Sequence, residues 1–507
     1  MYAGFKMIFR FTRFLSFFYL LLLFIIQAVP SYARVAQKSI TLGMVLEPPH
    51  LDPTAGAAGA IDEVVYGNIF QGLTRIDGYG YVKPQLAEHW LISDDLKEYT
   101  FYLHKGVTFH DGTAFDAEDV VFSFTRAMTA DSVNAQKNIF EPINEIEVLD
   151  QWTIKIRLKR PTADFLYNLG WGDAVIVAKE SYDSNKIKPI GTGPYEFVRW
   201  DKGNQLELKM YDGYWGQKPW FQVVRFKFIA DPTAAMVAME SGEIDAFPNF
   251  PAPELLTRFQ KNPRFKVAYG TTEGETILAI NNARQPLNRL MLRQAICRAI
   301  DRQAVIDGAM FGYAVPIGSH FAPHNPDYID LVGVNSYNLA LAKELLQQAG
   351  YKGGDVKLTL KLPPPPYARR SGEIIAAQLA RIGIQVQLIP VEWPQWLDEV
   401  FRRKDFDLTI VAHTEPSDIN IYARQDYYFG YNNPEFRSII EEISKTMDET
   451  VRRTLNQKAQ KILADDSVNC FLFQLGKYGV WKEELKGMWN NSPIQANDMS
   501  EVYSIAR

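Results

Sequence analysis

From about residue 284 onward, the sequence alternates between segments with helical periodicity and short apolar segments typical of strands. Two of the helical segments carry boundary signals: a side-chain cap at Asn338 with Gly350 after the last turn, and a cap at Ser371 with Gly383 at the end. Around them lie the predicted strands VKLTLKL and IQVQLIPVE. Helices and strands in this order predict a mixed α/β lobe with a largely parallel sheet.

The preceding part of the chain is richer in predicted strands. Apolar and polar residues alternate in the segment SITLGM, and a similar alternation marks 97–109 and 143–158. Asp116 is predicted to cap a helix between these strands. At 507 residues and 47% hydrophobic composition, the chain exceeds what one hydrophobic core usually organises, so we expect two or three domains.

The first 33 residues differ from the rest of the sequence. Three basic residues and no acidic one accompany a 13-residue apolar run that ends at Ile26, which is too short for a membrane-spanning helix of about 20 residues. Pro30 breaks any helix, and small residues follow at Ser31 and Ala33. The pattern predicts a cleavable signal peptide at 1–33 and export to an oxidising compartment, with an uncleaved anchor as the alternative.

Charge and cysteine content restrict the partners of the exported chain. Loss of the leader removes three positive charges, so the formal net charge changes from −5 to −8. A mildly acidic protein is not expected to bind nucleic acid or an anionic lipid surface. Cys297 and Cys470 both have apolar neighbours, so one disulfide and two buried free thiols both fit the sequence.

The common catalytic motifs are absent: the sequence contains no G-x-S-x-G, P-loop, H-E-x-x-H or C-x-x-C. His320 and His324 have i, i+4 spacing, but Pro323 disfavours the shared helical face that a metal site would need. The GTG at 191–193 is interpreted as a turn, since Pro194 lacks an N–H that a phosphate loop would use. We therefore expect no enzymatic activity, no cofactor and no bound metal.

One apolar segment ends in an unusual way. Residues 409–412 have the character of a buried strand, yet His413, Glu415 and Asp418 follow directly. A sheet fixes the position of a strand end while the loop after it faces outward, which suits ligand contacts. These three residues are candidate ligand contacts, and helix capping or solvation of a loop is the alternative role.

Seven segments together resemble one family, the extracytoplasmic solute-binding proteins of ABC importers. Within it they resemble family 5, the class that includes oligopeptide, dipeptide and nickel receptors. The segments occur in the family's order and cover nearly all of residues 40–475. They are LDPTAG, FHDGTAFDAEDVVFSFTRAM, GTGPYEF with DGYWG, AINNARQPLNRLMLRQAICRAIDRQAV, AKELLQQAGY, IIAAQLARIGIQVQL and YNNPEF.

The resemblance implies an α/β, two-lobe periplasmic-binding-protein fold (type II-like) with an extra domain inserted in lobe I. Carried onto this chain, lobe I would comprise 34–73, 191–283 and 478–507, the inserted small domain 74–190, and lobe II 284–477. Ligand would lie between the lobes, and a membrane transporter would recognise the closed form. The protein itself would catalyse no covalent step.

The resemblance also implies roles for charged residues. In peptide receptors of this class the stretch after the strand resembles DYPDP, where a carboxylate binds the peptide's α-ammonium; here HTEP replaces it, with Glu415 and Asp418 the nearest acids. Dipeptide receptors resemble the YARR segment where an arginine binds the ligand carboxylate, which implies Arg369, with Arg370 as the alternate. A solvated helix start is the other interpretation of these arginines.

Aromatic residues are the expected walls of the binding cleft. We predict ligand contacts for Trp396 and Tyr422, because large rigid rings cover a ligand with little loss of conformational entropy. Core packing is the alternative role for both.

The resemblance therefore predicts a monomeric, periplasmic substrate-binding protein. It would capture a short peptide or peptide-like zwitterion and deliver it to an ABC permease in the inner membrane. The departure at HTEP leaves non-peptide cargo open, namely an opine, haem or a chelated metal such as nickel. An exported hydrolase and a ligand sensor for a membrane receptor are the alternatives from other classes.

Overall fold

The computed structural model of the protein describes residues 38–505 except positions 57, 416, 417 and 447. The predicted signal peptide at 1–33 lies outside the described residues. Within the described part of the chain, no helix combines the length and the apolar character needed to cross a membrane.

The strands of the described chain form four sheets, of which the largest has eleven strands. The bounds are β1 Ser39–Met44, β2 Thr74–Ile76, β3 Val82–Pro84, β4 Ala87–Ile92, β5 Glu98–Leu103, β6 Ile143–Asp150, β7 Thr153–Leu158, β8 Tyr195–Asp201, β9 Gln205–Met210, β10 Val223–Phe228, β11 Ala246–Phe247, β12 Phe265–Ile280, β13 Ala314–Pro316, β14 Lys357–Leu362, β15 Gln385–Pro390, β16 Leu408–His413, β17 Asn469–Lys482, β18 Leu485–Lys486 and β19 Tyr503–Ser504.

Helices connect these strands, and Asp or Asn side chains cap the start of several of them. The α-helices are α1 Gly59–Val65, α2 Ala117–Met128, α3 Phe165–Asn168, α4 Pro232–Ser241, α5 Leu256–Gln260, α6 Leu290–Ala299, α7 Arg302–Met310, α8 Leu339–Gln348, α9 Pro366–Ala380, α10 Trp393–Trp396, α11 Pro434–Ile443 and α12 Glu449–Asp465. A π-helical turn lies at Leu397–Arg402, and 3-10 turns lie at Pro53–Ala55, Lys137–Phe140, Gly172–Ala174, Tyr182–Ser184, Pro253–Leu255 and Ile419–Ala423.

Two long antiparallel strands, β12 and β17, join the halves of the eleven-stranded sheet. The strand order is β15-β14-β16-β12-β17-β11-β1-β10-β9-β8, with β13 also on β17. On one side β14 is parallel to β15 and β16, as predicted for this part of the chain. On the other side β1 is parallel to β10 and β11, and β9 and β8 continue antiparallel. The β12–β17 pair therefore belongs to both halves.

The ladder between β12 and β17 is interrupted near its middle. Thr271 pairs with Gly476, but the next pairing joins Glu275 to Gln474, so three residues of β12 face one residue of β17. Side chains complete the bonding there: the Gln474 amide nitrogen donates to the Thr272 carbonyl oxygen at 2.5 Å. Such a bulge bends a strand and re-aims its side chains.

A four-stranded antiparallel sheet of order β4-β5-β7-β6 forms a separate layer. It packs on helix α2 around a core that includes Phe101, Phe124 and Ile156. The predicted cap of α2 is confirmed, since the Asp116 side chain accepts a hydrogen bond from the backbone N–H of Glu118 at 2.9 Å. These elements lie in the segment predicted as the inserted domain, whose boundaries stay a prediction.

Helices α6, α8 and α9 share one apolar core with strands β14 and β16. Leu292, Leu346 and Leu379 contribute one side chain from each helix. A disulfide between Cys297 and Cys470 joins α6 to β17 inside this core. Of the two alternatives that the sequence leaves open for the cysteines, the structure contains the disulfide.

Helix α9 begins earlier than the sequence predicts. It starts at Pro366, and Ser371 is a fully buried residue within the helix rather than its cap. The predicted cap is therefore wrong. The physical reason is that proline suits the first helical position, because its φ is fixed near the helical value and an N–H there needs no partner. Gly383, with φ of +83°, follows the end of this helix.

Candidate functional site

Strand β16 ends beside the interrupted part of β12. His413, the last residue of β16, pairs with Glu275 across the two antiparallel strands. Asp418 immediately precedes the 3-10 turn Ile419–Ala423 and is 8% exposed. Glu415, between them, is exposed. Of the three predicted ionisable residues, Asp418 is thus buried, His413 is partly buried and Glu415 is exposed.

Glu275, His320 and Asp418 form a buried cluster. His320 Nε2 lies 2.5 Å from Asp418 Oδ1 and 3.2 Å from Glu275 Oε1. The exposed fractions of the three residues are 2%, 1% and 8%. One nitrogen and two carboxylate oxygens here all lie within 4.8 Å of one another, and in the described residues no other set of three His, Cys or acidic side chains does so. These side chains are therefore the ones placed to hold a metal ion.

The charges in this cluster are unequal. Burial raises the pKa of Glu275 well above its usual range, and the charge of Asp418 raises it further. Burial also acts to raise the pKa of Asp418, but the neighbouring His320 outweighs this and holds it below its usual value. Burial lowers the pKa of His413 to about 4, so this ring is neutral near pH 7. The imidazole of His320 is therefore the shared hydrogen-bond partner of the Glu275 and Asp418 carboxyl groups.

Two tyrosines hold the imidazole rings in place. The hydroxyl of Tyr422 lies 3.2 Å from His320 Nδ1 and accepts a hydrogen bond from Asn469 Nδ2 at 3.3 Å. The hydroxyl of Tyr428 lies 2.9 Å from His413 Nε2. Tyr422 is only 2% exposed, so the structure places this predicted ligand contact within the buried network.

A cavity of about 370 Å³ lies next to the loop that carries Glu415. Its walls come from helix α1, the turn Gly172–Ala174, strand β12, the start of the loop after β16 and residues 492–495. Five carboxylates line the cavity, and no described Lys, Arg or His does so. The five are Asp62, Glu63, Asp173, Glu273 and Glu415. A wall of this composition favours a positively charged ligand group.

Burial in this cavity raises the pKa of several carboxyl groups and leaves some polar atoms without a hydrogen bond. Burial raises the pKa of Glu63 to about 7 and that of Asp173 to about 7. Burial raises the pKa of Asp62 well above its usual range, and the charges of Asp173 and Glu63 add to the effect. Asp62 Oδ1, Asp173 Oδ1 and Trp171 Nε1 are buried and have no hydrogen-bond partner among the described residues. A bound ligand would satisfy such groups.

A second cavity, of about 770 Å³, adjoins the first, because Glu273 and Pro493 line both. It lies between the layer of the four-stranded sheet, represented by Trp90, and helices α11 and α12. Both signs of charge line it. The arginines are Arg160, Arg437, Arg452 and Arg453, and the acids are Asp164, Glu273, Asp327, Glu441 and Glu449. Arg160 and Arg453 form ion pairs with carboxylates, whereas Arg437 and Arg452 form none within 4 Å among the described residues; Arg437 donates a hydrogen bond to Asn432.

The two arginines of the YARR segment line neither cavity. Arg369 Nη2 lies 3.2 Å from Glu392 Oε1. The guanidinium carbon of Arg370 lies 5.1 Å from the centre of the Phe311 ring. The structure therefore does not bring either arginine to the cavity that Glu415 lines, and their role in ligand binding stays a prediction.

Trp396 packs in the core against strand β16. It is 5% exposed, and its Nε1 donates a hydrogen bond to Thr409 Oγ1 at 2.9 Å. Its ring packs edge-on against Tyr428, with 5.8 Å between ring centres. The structure places Trp396 in the core behind the site, and its predicted contact with ligand stays untested.

Sequence reasoning missed the partners of the β16 loop. Glu273 and Glu275 lie two residues apart just before the apolar run ILAI at 277–280, which is the signal that the sequence offers. Asp62 lies in the first turn of α1, where an acid also stabilises the helix dipole. Its position in the sequence therefore does not distinguish a ligand contact from a helix-stabilising residue. The His320–Asp418 contact joins residues 98 positions apart, which no local spacing reveals. His324 does not share a site with His320: its Nε2 lies 2.5 Å from Glu273.

The sequence also matches known proteins. Residues 81–435 match the model of the bacterial extracellular solute-binding proteins, family 5 middle. The dipeptide-binding protein of Escherichia coli is 28% identical over 499 residues, which cover 90% of this chain and 92% of that protein. The glutathione-binding protein GsiB of Salmonella paratyphi A is 28% identical over 395 residues, covering 77% and 76%.

Solved structures show the same architecture. HbpA2 from Haemophilus parasuis superposes with a TM-score of 0.84 at 23% identity, covering 92% of this chain and all of that one. The periplasmic binding protein DppA from Helicobacter pylori, in complex with the peptide STSA, has a TM-score of 0.75 at 26% identity and covers 92% and 98%. These likenesses confirm the predicted two-lobe α/β fold.

Proposed function

The chain belongs to the bacterial extracellular solute-binding proteins of family 5, and on this basis we propose that it captures a short peptide or a peptide-like solute between its two lobes and delivers it to an ABC permease. The observation that carries the proposal is the cavity of about 370 Å³ with its five carboxylates. The wall brings the β16 loop of one sheet half together with helix α1 and the turn Gly172–Ala174.

A ligand ammonium group is the expected occupant of this cavity. A charge-assisted hydrogen bond from an ammonium to a carboxylate contributes roughly 1.5–3 kcal/mol. The free Oδ1 atoms of Asp62 and Asp173 are acceptors for it. The ammonium would also favour the ionised forms of acids whose pKa burial has raised, such as Glu63.

The adjoining cavity of about 770 Å³ supports a ligand that also carries a carboxylate. Arg452 lines it without an ion-pair partner among the described residues, and arginine binds a carboxylate in a planar two-bonded fork. Dipeptides and glutathione, the solutes in the names of the two relatives, carry both an ammonium and a carboxylate. A solute of this kind would extend from the acidic wall past Glu273 toward Arg452.

Delivery follows from a change in the angle between the lobes. Contacts that form only when both walls meet the ligand shift the protein toward a closed form, which the permease recognises. The proposal includes export to the periplasm and the lobe boundaries inferred from the sequence. The relatives are solute-binding proteins, and the proposed function requires no covalent step.

Isothermal titration calorimetry with matched ligands tests the proposal. Purified mature protein is titrated with the dipeptide Ala-Ala, with N-acetyl-Ala-Ala and with the amide of Ala-Ala. We expect acetylation to weaken binding by at least about tenfold, because it removes the ammonium charge. Equal affinity for the free and acetylated peptides would refute the assignment of the acidic cavity. Native mass spectrometry of protein purified without added solute identifies co-purified cargo.

A further inference from the structure

We propose that Glu275, His320 and Asp418 bind one divalent transition-metal ion of the Zn²⁺ type, as a resident ion separate from the transported solute. The three side chains come from β12, from the loop after β13 and from the loop after β16. Glu275 is held by its pairing with His413 on β16, so the sheet itself fixes one ligand. All three residues are more than nine-tenths buried.

One of the two distances from the imidazole nitrogen to a carboxylate oxygen is close to that of a metal site, and the other is shorter. Zn²⁺ binds imidazole nitrogen and carboxylate oxygen at about 2.0–2.2 Å, so neighbouring ligands of a tetrahedral ion lie roughly 3.3–3.6 Å apart. His320 Nε2 is 2.5 Å from one carboxylate oxygen and 3.2 Å from the other. Small side-chain rotations would therefore exchange hydrogen bonds for metal–ligand bonds.

A divalent ion would also balance the charge of the cluster. His320 Nε2 carries at most one proton, which it donates to one carboxylate at a time. Among the described residues, no Lys or Arg forms an ion pair with Glu275 or Asp418; their partners are His320 and His413. Buried carboxylates need either a proton or a paired cation, and a divalent ion that replaced the protons of the cluster would compensate both carboxylates.

The surrounding groups match those that support a metal-binding imidazole. His320 Nδ1 lies 3.2 Å from the Tyr422 hydroxyl, and a partner on the second ring nitrogen fixes the orientation of a ligating histidine. His413 Nδ1 lies 3.9 Å from the other oxygen of Asp418, outside the group of three ligand atoms. Imidazole together with carboxylates favours Zn²⁺, Co²⁺ or Ni²⁺ over Mg²⁺ and Ca²⁺.

Titration of the EDTA-treated mature protein with ZnCl₂ alone, in the absence of any peptide, tests this site. We expect one equivalent of Zn²⁺ at micromolar or tighter affinity and no binding of Mg²⁺ under the same conditions. X-ray absorption of the Co²⁺-loaded protein is expected to show imidazole and oxygen ligands. Failure of the wild-type protein to retain Zn²⁺, or a spectrum without imidazole, would overturn the proposal whether or not any variant folds.

His320→Gln and His324→Gln form a matched pair for the same titration. Nε2 of each histidine lies 2.5 Å from a carboxylate, but only His320 has a second acid within 4 Å in the described residues. His320→Gln is expected to lower Zn²⁺ affinity by at least about tenfold, and His324→Gln to leave it unchanged. Retained affinity in His320→Gln, or loss in His324→Gln, would place the ion elsewhere and refute the site.

Discussion

Arg369 Nη2 lies 3.2 Å from Glu392 Oε1, and the two side chains are 42% and 75% exposed. This pair holds the guanidinium on the surface of helix α9. Arg452, in contrast, lines the larger cavity and has no described ion-pair partner within 4 Å. The sequence predicts that Arg369 binds a ligand carboxylate, whereas the position of Arg452 in the cavity wall favours Arg452.

Arg452→Ala is expected to weaken affinity for a dipeptide by about ten- to a hundredfold, because a charge-assisted hydrogen bond to the carboxylate is lost. Arg369→Ala is the matched control and is expected to change affinity by less than about threefold, since an exposed ion pair contributes little. Calorimetry on both variants measures the effect. The reverse order would support the assignment made from the YARR segment instead.

Peptide affinity is expected to rise between pH 6 and pH 8. Burial raises the pKa of Glu63 and Asp173 to about 7, so both are largely protonated at pH 6 and ionise as the pH rises. Buried Lys477, whose pKa burial lowers to about 8, faces Glu63 and loses charge over the same range. Both changes favour a ligand cation. Above about pH 8 the peptide's own α-amino group loses its proton, so affinity should then fall.

Asp173→Asn checks the origin of this pH dependence. The amide retains an acceptor oxygen but cannot ionise, so the slope of log affinity against pH between 6 and 8 is expected to decrease. N-acetylated peptide should show no rise with either protein. An unchanged slope in Asp173→Asn would assign the dependence to other groups.

Reduction of the disulfide is expected to destabilise the protein. The bridge between Cys297 and Cys470 closes a loop with a sequence separation of 173 residues, and loss of a native disulfide typically costs about 2–5 kcal/mol. Thermal unfolding with and without reductant measures the loss. A Cys297→Ala, Cys470→Ala double variant is the control, since its midpoint should be lower and should not respond to reductant.

Trp396→Ala is expected to destabilise the protein by about 3–5 kcal/mol, because it removes a large ring from the core and a hydrogen bond to Thr409. Trp393→Ala is the matched control; Trp393 is 39% exposed, so its loss should cost much less. Denaturant unfolding gives both values. If Trp396→Phe folds stably yet loses peptide affinity at least tenfold, the ligand contact predicted from the sequence is supported instead.

The fold class was accessible from the sequence because its signals are local. Asp116 and Asn338 mark helix starts through hydrogen bonds within one turn, and alternation of apolar residues marks strands. The register of β12 against β17 was not accessible, since it joins residues about two hundred positions apart, such as Ala279 and Asn469. The start of helix α9 was predicted wrongly from local signals: the sequence offers both Ser371 and the proline at 366, and the helix begins at Pro366.

The candidate site was accessible only in part. A strand ending at Ala412 was predicted, because a strand that meets three ionisable residues is a local anomaly; β16 ends one residue later, at His413. The groups that surround it, Glu275 and His320, come from segments far away in sequence and are joined by the tertiary fold. Adjacent arginines in a helix look alike whether they bind ligand or water, so the sequence alone did not separate Arg369 from Arg452.

The bulge in β12 places Glu273 and Glu275 two residues apart in one short segment, but the two side chains lie in different sites. Glu273 lines both cavities, whereas Glu275 lies in the buried cluster two residues away. Because β12 belongs to both halves of the sheet, we expect a rotation of one half against the other to move Glu273 and Glu275 together. Solute capture and the hydrogen bonding of the interior cluster are therefore expected to be coupled through this segment.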